Sequence, residues 1–144
     1  MEHIIRTRFI YTAGLFLSLA LAFSSCATKH RFTTSPVVPA AEGSVKVKKD
    51  NNSNYSIGLK VKRLADSKRL SPPRDMYIVW METADNGIKN IGRLNTSSGF
   101  LSKTLKSSLN TVSTFRPTGF FITGENEAGL AYPSGFVVLR TDSF

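Results

Sequence analysis

The stretch Met76–Thr83 reads Met-Tyr-Ile-Val-Trp-Met-Glu-Thr, with apolar residues at both odd and even positions. Successive side chains of a strand point to opposite faces. A run apolar on both faces therefore predicts a central strand buried on two sides. It carries the only tryptophan of the chain, Trp80. Asp85-Asn86-Gly87 follows, and residues 88–95 form a second strand-like run. Asn-Gly between two such runs predicts a hairpin with a type I′ turn, which needs positive φ at both central residues.

The same pattern recurs on either side. Residues 44–48 alternate Val45 and Val47 against Ser44, Lys46 and Lys48. Residues 55–64 set Ile57, Leu59 and Val61 against Gly58, Lys60 and Lys62. Both read as half-buried strands. Between them, residues 50–54 are a polar turn. Residues 65–75 hold Pro72-Pro73, which cannot donate ladder hydrogen bonds and so predict a crossover between sheets. Further on, residues 95–99 read as a turn and 100–106 as a strand, while 109–115 fits strand or loop. Residues 117–119 turn into a strand at 120–125, residues 126–135 are a loop, and 136–141 close the domain.

No helical run is long enough to alternate with these segments, and the strands recur at sandwich spacing. The expected fold is all-β: an antiparallel, immunoglobulin-like β-sandwich of about seven strands over residues 43–144. Trp80, Tyr77 and the phenylalanines at 115, 120, 121 and 136 are the expected large core residues, with Trp80 packed against the opposite sheet.

The N-terminus has another character. Arg6 and Arg8 precede an apolar stretch at 9–23, and Ser24 and Ser25 lead into Cys26, the sole cysteine. This is the plan of a signal peptide, too short for a typical membrane-spanning helix. Cys26 resembles the lipobox cysteine of bacterial lipoproteins, with Phe23 in place of the usual Leu. The resemblance implies a signal peptide at 1–25, lipidation at Cys26, and anchorage in the bacterial envelope, expected at the outer membrane. Cleavage by an ordinary signal peptidase and an uncleaved anchor are the rival readings. Residues 26–42, rich in Thr, Ser, Pro and small residues, read as a flexible tether holding the domain off the membrane. Without an acidic run after Cys26, the face of the membrane stays open.

The chain of 144 residues has a formal charge of +9. Removing residues 1–25 takes away two basic residues and one acidic residue and leaves +8. The basic groups are spread along the chain with no nucleic-acid motif, so no nucleic-acid partner is expected. A solvated surface explains them; attraction to anionic headgroups or acidic glycans is the sharper alternative.

Candidate chemistry is sparse. The only histidines are His3, in the signal, and His30, in the expected tether. That excludes Ser-His-Asp and Cys-His arrangements from the folded domain, along with zinc sites built on His or Cys. No catalytic residue, cofactor or metal site is assigned. Glu82 and Glu125 end strand-like runs and are the only carboxylate pair suggesting an acid and base, as in a small glycosidase. Asp50-Asn51-Asn52 suits a turn better than a calcium ion. Tyr55, Tyr77 and Tyr132 suggest a sugar-stacking platform. Tyr132, beside Pro133 in a loop, is the best-placed ligand contact.

The order of Tyr77-Ile78-Val79-Trp80, Gly92-Arg93-Leu94, Phe121-Ile122-Thr123-Gly124-Glu125 and Pro133-Ser134-Gly135 with Val137-Val138-Leu139 resembles a known family. It is similar to the extracytoplasmic C-terminal domain of anti-sigma-K factors and its stand-alone relatives. The resemblance implies a β-sandwich only, because no zinc-binding anti-sigma region precedes it here. The functional expectation is a non-catalytic, lipid-anchored envelope protein acting by binding or assembly, with an unidentified protein or glycan partner. A carbohydrate-binding module is the alternative.

Overall fold

The computed structural model describes residues 27–98 and 105–144. The chain opens with β1 (Thr28–Arg31), β2 (Glu42–Lys49) and β3 (Tyr55–Lys62). It crosses to a second sheet for β4 (Met76–Thr83) and β5 (Ile88–Arg93). It then returns for β6 (Asn95–Ser98) and β7 (Leu105–Ser113), and crosses again for β8 (Pro117–Glu125) and β9 (Val137–Arg140). One sheet has the order β1-β2-β3-β7-β6, the other β5-β4-β8-β9, and every pairing is antiparallel. The fold is a β-sandwich, with nine strands among the described residues rather than about seven.

The alternating runs behave as their periodicity requires. Val45, Val47, Ile57, Leu59 and Val61 turn inward, while Lys46, Lys48, Lys60 and Lys62 stay exposed. From the other sheet Tyr77, Val79, Met81, Phe120, Ile122 and Val138 meet them, and together these residues form the main core. The connection carrying Pro72-Pro73 is the crossover expected from it. It begins with a short 3₁₀ turn, Ser67–Arg69, whose Lys68 amide is capped by the Asp66 carboxylate at 3.0 Å.

Two expectations need correction. Residues 28–42 are not a tether. Thr28–Arg31 pairs with β2, and Ser35, Val38 and Ala41 are buried. The Ser35 hydroxyl donates to the Val138 carbonyl of β9 and accepts the Val38 amide at 2.8 Å. A polar, proline-bearing composition hid these few anchors, because local pattern carries no information about a distant partner strand. Residues 95–98, expected as a turn, form β6, whose pairing partner is β7. Leu94 alone separates β5 from β6, and its burial at the corner carries the chain from one sheet to the other. Residues 109–115, left between strand and loop, begin within β7, while most of the predicted 100–106 strand lies outside the described residues.

The central hairpin forms where expected, but not with a type I′ turn. Gly87 has φ 65°, whereas Asn86 is not among the positive-φ residues. The longer loop is closed by Thr83, whose amide and hydroxyl both donate to the Gly87 carbonyl, at 3.1 and 2.7 Å. At the far edge, Phe32 bridges Thr141 and the Thr33 amide donates to the Arg140 carbonyl at 2.8 Å. Edge strands β1 and β9 are thereby laced together, which blunts two otherwise open edges.

Candidate functional site

The outer face of the four-stranded sheet carries a second, smaller core. Ile78, Trp80 and Phe121 are buried there under Met76, Leu130 and Val137. Trp80 is thus fully buried as expected, but not against the opposite sheet. Strand alternation sends Tyr77, Val79 and Met81 inward and leaves Ile78 and Trp80 on the outside. The cover is the β8–β9 connection, a strap that crosses this face. The Asn90 side chain donates to the carbonyls of Ala128 and Leu130 at 2.9 and 3.0 Å. At the other end the buried Glu125 carboxylate accepts the Ser134 amide at 3.0 Å. Beneath the strap, the Trp80 indole donates to the Thr123 hydroxyl at 2.8 Å. The aromatic is therefore both dry and satisfied.

Asn90 escaped the sequence reading, although an asparagine inside a strand-like run is itself a weak signal, since Asn is depleted in strands. Its position follows from a bulge: β4 pairs Val79 with Gly92 and Trp80 with Asn90, so Ile91 has no partner of its own. The Asn90 carboxamide oxygen also accepts the Gly92 amide at 3.1 Å. This fixes the side chain that holds the strap.

Tyr132 sits on the strap and is 81% exposed. The three-tyrosine platform does not assemble around it. Tyr77 lies in the main core with its hydroxyl donating to the Ala65 carbonyl at 2.9 Å. Burial, and then the nearby Asp66 charge, push its phenol up to about 12. Tyr55 belongs to the other sheet, with the Lys49 ammonium 6.0 Å from its ring.

Nor do the two carboxylates meet. Glu82 stands opposite Gly119 and Glu125 opposite Met76, six positions apart along β4. At about 3.3 Å per residue the separation is roughly 20 Å, beyond the 10 Å or so a glycosidase pair spans. Glu82 pairs instead with Arg140 at 2.6 Å, and that guanidinium lies 4.6 Å from the Phe121 ring centre. The Asp50 carboxylate caps its own turn, accepting the Asn54 and Asn52 amides at 2.8 and 2.9 Å. The Asn54 amide bond is the leading cause holding its pKa below the ordinary value. His30 belongs to β1 rather than to a tether and stacks on Phe144, and partial burial lowers its pKa. Cys26 lies outside the described residues.

Two recesses share Ala65 at one end of the sandwich. One, of about 240 Å³, is lined by Asp66, Asp75, Tyr77, Arg93 and Thr96. The other, of about 530 Å³, is apolar, with Val37, Pro39, Leu70 and Phe136 in its wall. No protein-family model, curated protein or solved structure matches this chain. Residues 77–80, 92–94, 121–125 and 133–139 all fall on the four-stranded sheet, the strap and the β5–β6 corner.

Proposed function

We propose that this chain is a lipid-anchored protein of the bacterial envelope, held at the outer membrane, whose sandwich acts by binding or assembly rather than by catalysis. One observation carries the reading: among the described residues the first strand of the sandwich begins at Thr28, two residues beyond the sole cysteine. In the sequence an apolar run at 9–23 precedes Cys26 and the first strand follows it closely, the setting in which a lipobox cysteine becomes the first residue of a mature chain. Acyl chains there supply about 0.8 kcal/mol per buried CH₂, and two or more make a durable anchor. The relation to stand-alone anti-sigma-K-type domains belongs to the same proposal, and it brings no sigma-factor binding with it. The glycan-binding alternative keeps only Tyr132, whereas a stacking platform needs several aligned rings.

The test is the Cys26→Ser variant of the full chain, expressed in a bacterium fed a clickable fatty acid. The wild type is expected to take up label and stay in the membrane pellet through a high-salt wash. The variant should lose the label and leave the pellet, with an unchanged thermal transition. An unlabelled wild type, or a variant that stays in the washed pellet, would rule out the lipid anchor.

A further inference from the structure

We infer that the outer face of the five-stranded sheet is a docking surface for an anionic phospholipid bilayer, onto which the anchored domain lies flat. The inference rests on the proposed lipid anchor for its geometry and on the sheet register for its chemistry. Lys29 and Arg31 of β1, Lys46 and Lys48 of β2, Lys60 and Lys62 of β3 and Lys106 of β7 are all exposed. The register puts them on one face. Lys29 stands directly opposite Lys46, Arg31 and Lys60 flank Ser44, and Lys62 stands opposite Lys106. The only acidic residue in these rows is Glu42, at the end of β2, and it is paired with Arg63. Among the described residues, the ion pairs are Arg63–Glu42 and Arg140–Glu82, so none of the seven cations has a carboxylate partner.

Like charges placed directly opposite on neighbouring strands weaken a sheet. Solubility alone is served as well by mixed signs. A one-sign face is instead suited to a surface of the opposite sign. The other sheet shows no such face, since its exterior is covered by the strap and carries the Glu82–Arg140 pair.

The occupant follows from where the chain emerges. Cys26 precedes the edge strand of this same sheet, and Thr28 pairs with Val47 at the end that also bears Lys48. Strands lie about 4.8 Å apart, so β7 is only about 15 Å across the sheet from β1. An acyl chain at that corner brings the whole face within reach of the headgroups. Val112, 64% exposed and in the Lys48–Ser56 row, adds an apolar contact at the same end. The folding of residues 28–42 removes the spacer that would have kept the domain away.

The experiment uses the full chain, purified from membranes and reconstituted into vesicles of phosphatidylcholine alone or mixed with phosphatidylglycerol. Lysine acetylation is read by mass spectrometry, which also reads any acyl mass on Cys26. Lys46, Lys60 and Lys62 are expected to react several-fold more slowly on the mixed vesicles. Lys68, exposed on the crossover, should react equally on both, and high salt should restore the face lysines. In the Cys26→Ser background, flotation with mixed vesicles reads the face without the anchor. There Lys46→Gln, Lys60→Gln and Lys62→Gln together should cut partitioning roughly a hundredfold, at about fivefold per charge. A missing acyl mass would defeat the anchor while leaving flotation to judge the face. Equal acetylation on both vesicle types, or flotation indifferent to the triple change, would overturn the docking surface. Protection that needs a soluble acidic polysaccharide instead of lipid would overturn the bilayer assignment in favour of a glycan.

Discussion

Tyr77 shows how one residue can be core and still titrate. Its ring packs between the sheets while its hydroxyl reaches the Ala65 carbonyl. With the folded phenol at about 12 and the ordinary value at 10.0, the unfolded chain releases its proton first as pH rises. The stabilisation is therefore complete below pH 10 and is lost progressively as pH climbs toward 12. Tyr77→Phe should remove that alkaline decline at a cost of about 1 kcal/mol near neutrality. Denaturant midpoints of the two chains across this range check it, and an identical alkaline decline in both would refute it. The buried tryptophan makes a related point. Complete burial of Trp80 was legible from its neighbours, but which core it joins was not, because parity along β4 names a face and not what covers that face.

At the scale of elements, the strap is held mainly by side chains on other strands. Asn90 on β5 clasps two of its carbonyls, and Glu125 on β8 holds Ser134. Asn90→Ala should cost about 1–3 kcal/mol for three lost hydrogen bonds, two to the strap and one from the Gly92 amide. It should also let iodide quench Trp80 and speed proteolysis between residues 126 and 135. Unaltered quenching and cleavage would mean that Leu130 and the Glu125 contact suffice to seat the strap. The hairpin was legible from Asn86-Gly87, yet its turn type was not. Thr83 offers a hydroxyl that captures the Gly87 carbonyl, and the loop lengthens to suit it.

For the whole molecule, the segment between Arg31 and Glu42 decides what the folded unit is. Deleting residues 27–41 removes an edge strand, the β1–β9 bridge and the buried Ser35, Val38 and Ala41. We expect the shortened chain to lose its cooperative thermal transition, not merely to melt a few degrees lower. A deletion variant with an unchanged melting temperature would return the segment to the status of a linker.

The sequence alone determined the class of the fold, because period-two patterning and the turn signals around Met76–Thr83 act over a few neighbouring residues. It likewise placed Tyr132 in an exposed loop. The tertiary structure alone decided that β1 belongs to the five-stranded sheet, and that Glu82 and Glu125 stand at opposite ends of the four-stranded one. It also brought lysines from four strands onto one face. Each of those is a matter of register between segments far apart in the chain, and register depends on pairing partners that local patterning does not specify.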